Sequence, residues 1–134
     1  MRKKNNRKGG RIMLSVTKIM EFEAAHRLEG HKGKCKNLHG HRYKLECTVG
    51  IADNYHLFEG MVIDFGDLKE TMKEMVDKYF DHYNINDWFE GLPTAENMVL
   101  WIKSYIQSRL LPRNKLVAIK LWETSSSYAE WREE

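Results

Sequence analysis

The stretch HGHRYKLECTVGI, residues 39–51, decides the fold class. Tyr43, Leu45, Cys47 and Val49 share one parity; Arg42, Lys44, Glu46 and Thr48 share the other. Successive side chains of a strand point to opposite faces, so this alternation predicts an antiparallel strand with one face buried and one in water. His39 and His41 continue the apolar parity. Gly40 between them adds no side chain on the opposite side, which leaves room for another backbone.

Working outward, residues 12–27 read as a second strand. Val16, Met20, Phe22, Ala24 and His26 share its inner face, and Lys18 breaks the pattern at a bulge or near an edge. Residues 28–37 form a loop rich in Gly and Lys, and MVIDF (61–65) reads as a shorter strand after Gly60. Residues 67–80 carry Leu68, Met72, Met75, Val76, Tyr79 and Phe80 at helical spacing, with Asp64 or Asp67 as cap. Residues 94–110 form a second helix, opened by Pro93–Thr94, with Ala95, Met98, Val99, Ile102, Tyr105, Ile106 and Leu110 as its stripe. Residues 115–123 give the last strand, with Val117, Ile119, Leu121 and Glu123 on one face, and 124–134 read as a polar tail holding Tyr128 and Trp131. The order β-β-β-α-α-β predicts an α+β domain: a four-stranded antiparallel sheet with two helices packed on one face.

A chain of 134 residues suits one domain, taken as 12–134. Of the 22 Lys and Arg, six lie in residues 1–11; the remaining 16 face 19 acids, so the domain itself is acidic. The basic segment reads as a solvated leader. A nucleic-acid arm is the other reading, but no basic and aromatic interleaving continues into the domain, so no nucleic-acid partner is expected. No run of about 18 apolar residues suggests a membrane span. Without an apolar h-region the N-terminus is not a secretory signal, and a cytoplasmic location is expected. Cys35 and Cys47 are then expected as free thiols.

Residues i and i+2 of a strand project to the same side, so His39 and His41 can share one metal ion. His26, extending the apolar parity of its own strand, is the natural third ligand if the two strands pair. Three imidazoles leave one position of a tetrahedral zinc open, which is a catalytic arrangement. Imidazole also suits Cu, Fe and Ni, with zinc the first choice. Cys35, between Lys34 and Lys36, has three roles open to it: catalytic base or nucleophile, fourth zinc ligand, or none. Cys47 and Met75 read as core, His31 and His56 as surface. Asp81-His82 reads either as a surface pair or as an oriented proton-transfer pair. Glu123 either ends its strand in solvent or grips an amidine-like edge through paired charge-assisted hydrogen bonds. Glu96, near a helix start, reads as structural.

FEAAHRL (22–28), CKNLHGH (35–41), GMVIDFGDLK (60–69), FDHYNIN (80–86), PTAEN (93–97) and WET (122–124) together resemble the 6-pyruvoyltetrahydropterin synthase family. The Cys-x3-His-Gly-His spacing is similar to its bacterial branch, the 6-carboxytetrahydropterin synthases of the queuosine pathway. The resemblance implies a T-fold, in which monomer sheets join into barrels, trimers pair into hexamers and active sites lie between subunits. It implies one zinc per chain on His26, His39 and His41, and Cys35 as proton acceptor. It further implies His82 with Asp81 as relay, Glu123 as anchor of the pterin ring, and Thr94 in a segment contacting that ring. The implied substrate is 7,8-dihydroneopterin triphosphate, with Lys34, Lys36 and Arg42 as candidate phosphate contacts. A non-catalytic zinc-stabilised module, ligating through Cys35 and the three histidines, is the rival from another class.

Overall fold

A computed structural model describes residues 12–134; the expectation of a basic tail over 1–11 lies outside them. The alternating stretches form β1 (Ile12–His26) and β2 (His39–Ala52), paired antiparallel with His26 opposite His39. β3 (Asn114–Thr124) and β4 (Ser127–Arg132) complete an antiparallel sheet in the order β1-β2-β3-β4.

Both helices lie on one face of this sheet. α1 (Phe65–Met75) starts at Asp64, whose carboxylate accepts the N–H groups of Gly66 and Asp67. A π-helical turn, Val76–Phe80, leads on to Asp81. α2 (Ala95–Gln107) is capped by Thr94, whose hydroxyl accepts the Asn97 N–H at 3.1 Å. Leu68, Met72, Met75, Val76 and Phe80 from the first segment, and Ala95, Met98, Val99, Ile102 and Ile106 from α2, are buried with Tyr43, Leu45, Cys47 and Val49 of β2. Each aliphatic side chain buried this fully contributes about 1.5–3 kcal/mol of hydrophobic stabilisation.

Three expectations need correction. Residues 61–65 form no strand: Met61 makes an isolated bridge to Phe58, Val62 alone is buried, and the segment then feeds α1. The fourth strand comes instead from the expected tail. In β4, Ala129 and Trp131 turn toward the core and Tyr128 and Arg132 toward solvent. Within β3 a register shift between Thr48 and Val49 of its partner puts Leu116, not Val117, into the core. Lys18 is accommodated because β1 is an edge strand.

Candidate metal centre

The antiparallel register of β1 and β2 brings three imidazoles together at the end of the sheet. His26 and His39 face each other across the two strands, and His41 follows two residues on. One ligand atom from each of the three lies within 4.8 Å of the others. His26 is fully buried.

The hydrogen bonds behind the rings decide what the front can do. His26 Nδ1 lies 2.8 Å from the Pro93 carbonyl oxygen, and His39 Nδ1 lies 2.7 Å from that of Asn37. A carbonyl only accepts, so both Nδ1 atoms carry the proton and both Nε2 atoms of the neutral rings present lone pairs. Those two Nε2 atoms are 3.0 Å apart. Two lone pairs at that distance repel unless a proton or a cation lies between them. His41 Nε2 is buried and has no hydrogen-bond partner. Burial lowers the pKa of His41; nearby Glu123 raises it and His26 and His39 lower it further. A neutral, unpartnered imidazole beside two bare ring nitrogens is the donor set of a metal site, and ring N–H groups tied to carbonyls are how such ligands are oriented.

Glu123 reaches the same place from β3. It sits at a register shift between Trp122 and Thr124, the kind of irregularity that re-aims a side chain. Its carboxylate oxygens lie 3.6 Å from His41 Nε2 and 4.0 Å from His26 Nε2. It also lines a cleft of about 510 Å³ between α2 and β4, together with Ala95, Glu96, Tyr128 and Trp131. Glu96, read from sequence as serving only its helix, therefore shares a cleft with Glu123. Only the folding of α2 against β4 brings the two together.

The other site residues lie around this centre. Cys35 is half-buried in a 3-10 turn, and its carbonyl accepts the Leu28 N–H, but it is not in the converging set. A four-ligand site through Cys35 is thus not assembled here. The Thr94 hydroxyl accepts at its cap, and the backbone of Pro93 beside it holds His26. Asp81 and His82 lie across the outer edge of β1. His82 has φ 63° and a largely exposed side chain, and it lines an open cleft with His41 and Arg42. No hydrogen bond or ion pair among the described residues joins His82 to Cys35 or to the three imidazoles. Arg42 is held by Glu21 and Glu23, whereas Lys34 and Lys36 make no ion pair among the described residues. An added Cβ at Gly40 would meet the Ala24 carbonyl at 3.7 Å, an ordinary contact, so close backbone approach does not demand this glycine. Cys47 is core, and His31 and His56 are at the surface, as expected.

A sequential four-stranded antiparallel sheet backed by two helices, with three histidines at the joined ends of its first two strands, defines a T-fold protein with a metal-competent centre. A model of the family described as 6-pyruvoyl tetrahydropterin synthase matches residues 15–134, and the protein belongs to that family. It is 37% identical to the 6-carboxy-5,6,7,8-tetrahydropterin synthase of Rickettsia bellii, over 88% of this chain and 99% of the relative. It is 36% identical to the protein of that name from Haemophilus influenzae, over 90% and 100%. The fold is similar to that of Caenorhabditis elegans 6-pyruvoyl tetrahydropterin synthase, with a TM-score of 0.76 at 24% identity, covering 96% of this chain and 100% of that one. No helix among the described residues is long and apolar enough to cross a membrane.

Proposed function

We propose that the protein is a zinc-dependent 6-carboxy-5,6,7,8-tetrahydropterin synthase. It would convert 7,8-dihydroneopterin triphosphate and one water into 6-carboxytetrahydropterin, acetaldehyde and triphosphate, a step toward queuosine. The observation that carries this reading is the meeting of three imidazole ring nitrogens, two of them Nε2 atoms left bare by virtue of their carbonyl partners, beside the Glu123 carboxylate. Relatives bearing that enzyme's name over nearly the whole length support the choice of product.

His26, His39 and His41 would hold one zinc ion. When bound, zinc supplies Lewis-acid polarisation of substrate oxygens. The protein's own groups do the rest. Glu123 accepts the paired N–H donors of the pyrimidine edge and fixes the ring. The Cys35 sulfur accepts a proton from a C–H group of the pterin's substituent held against it. Lys34 and Lys36, flanking Cys35, face the triphosphate; Arg42, already neutralised by Glu21 and Glu23, is the weaker candidate. His82, exposed on the edge of β1, passes protons at the centre of a neighbouring subunit. That role requires a trimer-based homo-oligomer, a hexamer of paired trimers, with active sites between subunits.

The test is incubation of the zinc-loaded protein with 7,8-dihydroneopterin triphosphate, with the pterin product read by mass and acetaldehyde assayed separately. Carboxytetrahydropterin with stoichiometric acetaldehyde supports the reading. A pterin that keeps its three-carbon substituent assigns the pyruvoyl reaction instead, and no turnover by a zinc-loaded oligomer points to a binding module.

A further inference from the structure

We propose that Asn97, exposed on the first turn of α2, is a positioning residue for the metal centre. It acts at a distance, through the 92–94 turn and His26, and the proposal rests on the reading of the three histidines as a metal site.

Pro93 is buried, and its carbonyl precedes the helix, whose first backbone acceptor is Thr94, bonded to the Met98 N–H at 2.9 Å. The Pro93 oxygen therefore needs a donor from elsewhere, because a buried carbonyl without one is costly. His26 Nδ1–H is that donor, at 2.8 Å. The bond serves both partners: it satisfies the carbonyl and fixes the tautomer that leaves Nε2 bare toward His39 and His41. A second contact braces the ring, with the fully buried Tyr43 hydroxyl 3.4 Å from the same Nδ1.

The direction of the Pro93 carbonyl is set by its turn, and Asn97 is what ties that turn to the helix. The Asn97 side-chain amide donates to Leu92 O at 2.9 Å, the Thr94 N–H donates to the same oxygen at 2.9 Å, and the Asn97 N–H donates to the Thr94 hydroxyl at 3.1 Å. The PTAEN segment (93–97) thus aims one carbonyl at one metal-ligand candidate. Outer partners of ligating histidines typically change metal affinity by about 10–100-fold when lost.

Asn97→Asp isolates the effect. Aspartate keeps the shape and suits the start of a helix, but its carboxylate cannot donate to Leu92 O. Zinc affinity is measured by competition with a chromophoric chelator on wild type, Asn97→Asp, and His39→Ala as the marker of the three-histidine site. The metal-free thermal midpoint is recorded for each. The expected result is a loss of about tenfold in zinc affinity for Asn97→Asp, with its metal-free midpoint within a degree or two of wild type. Unchanged affinity overturns the proposal, as does a parallel fall in the metal-free midpoint, which would make Asn97 merely structural. If wild type and His39→Ala bind zinc alike, the metal reading itself has failed and the proposal falls with it. Tyr43→Phe, measured alongside, tells whether the second brace contributes independently.

Discussion

Asp81 Oδ1 accepts the backbone N–H of Glu23 at 3.0 Å, across the outer edge of β1. Around it the His82 N–H donates to Glu23 O, and the Ala25 N–H donates to Tyr83 O. The Asp81-His82 segment is therefore stitched to the strand that ends in His26. Only Asp81 Oδ2, 3.7 Å from His82 Nε2, faces the imidazole, and that is too long for a hydrogen bond. Asp81→Ala should cost about 1 kcal/mol in urea unfolding by removing the edge acceptor. Asp81→Asn keeps an acceptor for Glu23 and removes the charge. Its stability should match wild type while kcat falls; wild-type kcat would assign Asp81 to the scaffold alone.

Cys35 stands outside the converging ligand set, so its loss should separate chemistry from metal binding. Cys35→Ala is expected to abolish turnover while zinc content stays near one per subunit by elemental analysis. Loss of zinc in that variant would make the thiol a ligand in the assembled protein and remove it from proton transfer.

Burial pushes the Cys47 thiol from 9.0 up to about 12. Iodoacetamide should therefore label the half-buried Cys35 in the native protein and reach the buried Cys47 only after unfolding, read by peptide mass. The pH dependence of stability has a defined sign. Between pH 9 and about 12 the unfolded state releases this proton and the native state keeps it, so unfolding becomes easier as pH rises. The contribution is fully present below pH 9. Cys47→Ala should unfold with a shallower loss over that window, the difference reaching about 1.4 kcal/mol per pH unit at most. Equal slopes would mean that the native thiol ionises freely.

The parts of the molecule legible in the sequence are those where one face is buried and the other wet. β2 alternates from Tyr43 to Val49 because Tyr43, Leu45, Cys47 and Val49 all belong to the core shared with the helices. The three histidines were legible for the same reason: parity places them, and register brings them together. MVIDF misleads because a short apolar run has no period of its own, and here only Val62 is needed in the core. β4 is masked because an edge strand of six residues buries little. The Ala129/Trp131 alternation after a Ser-Ser turn was its available signal. The bulges at Val117 and Glu123, and the cleft that Glu96 shares with Glu123, are set by pairing and helix docking, which no local pattern records.

Three carboxylates, Glu96, Glu123 and Glu130, line the cleft between α2 and β4; Glu130 is paired with Lys120 and Arg132, and of the three Glu123 faces the imidazoles. A ring anchor must present both oxygens to paired N–H donors, so it cannot at the same time be committed to the histidines. Glu123→Gln replaces one acceptor oxygen with a donor and should raise KM by about tenfold or more, since a mispaired charge-assisted bond costs about 1.5–3 kcal/mol. Because Glu123 also lies 3.6 Å from His41 Nε2, kcat should fall as well. Glu96→Gln, on the exposed first turn of α2, removes a second cleft charge without touching the imidazoles. If Glu123 anchors the ring, Glu96→Gln leaves KM within about twofold of wild type. A large KM effect confined to Glu96→Gln, with kcat alone lowered in Glu123→Gln, would move the anchor to Glu96 and leave Glu123 as a proton-transfer group beside the metal centre.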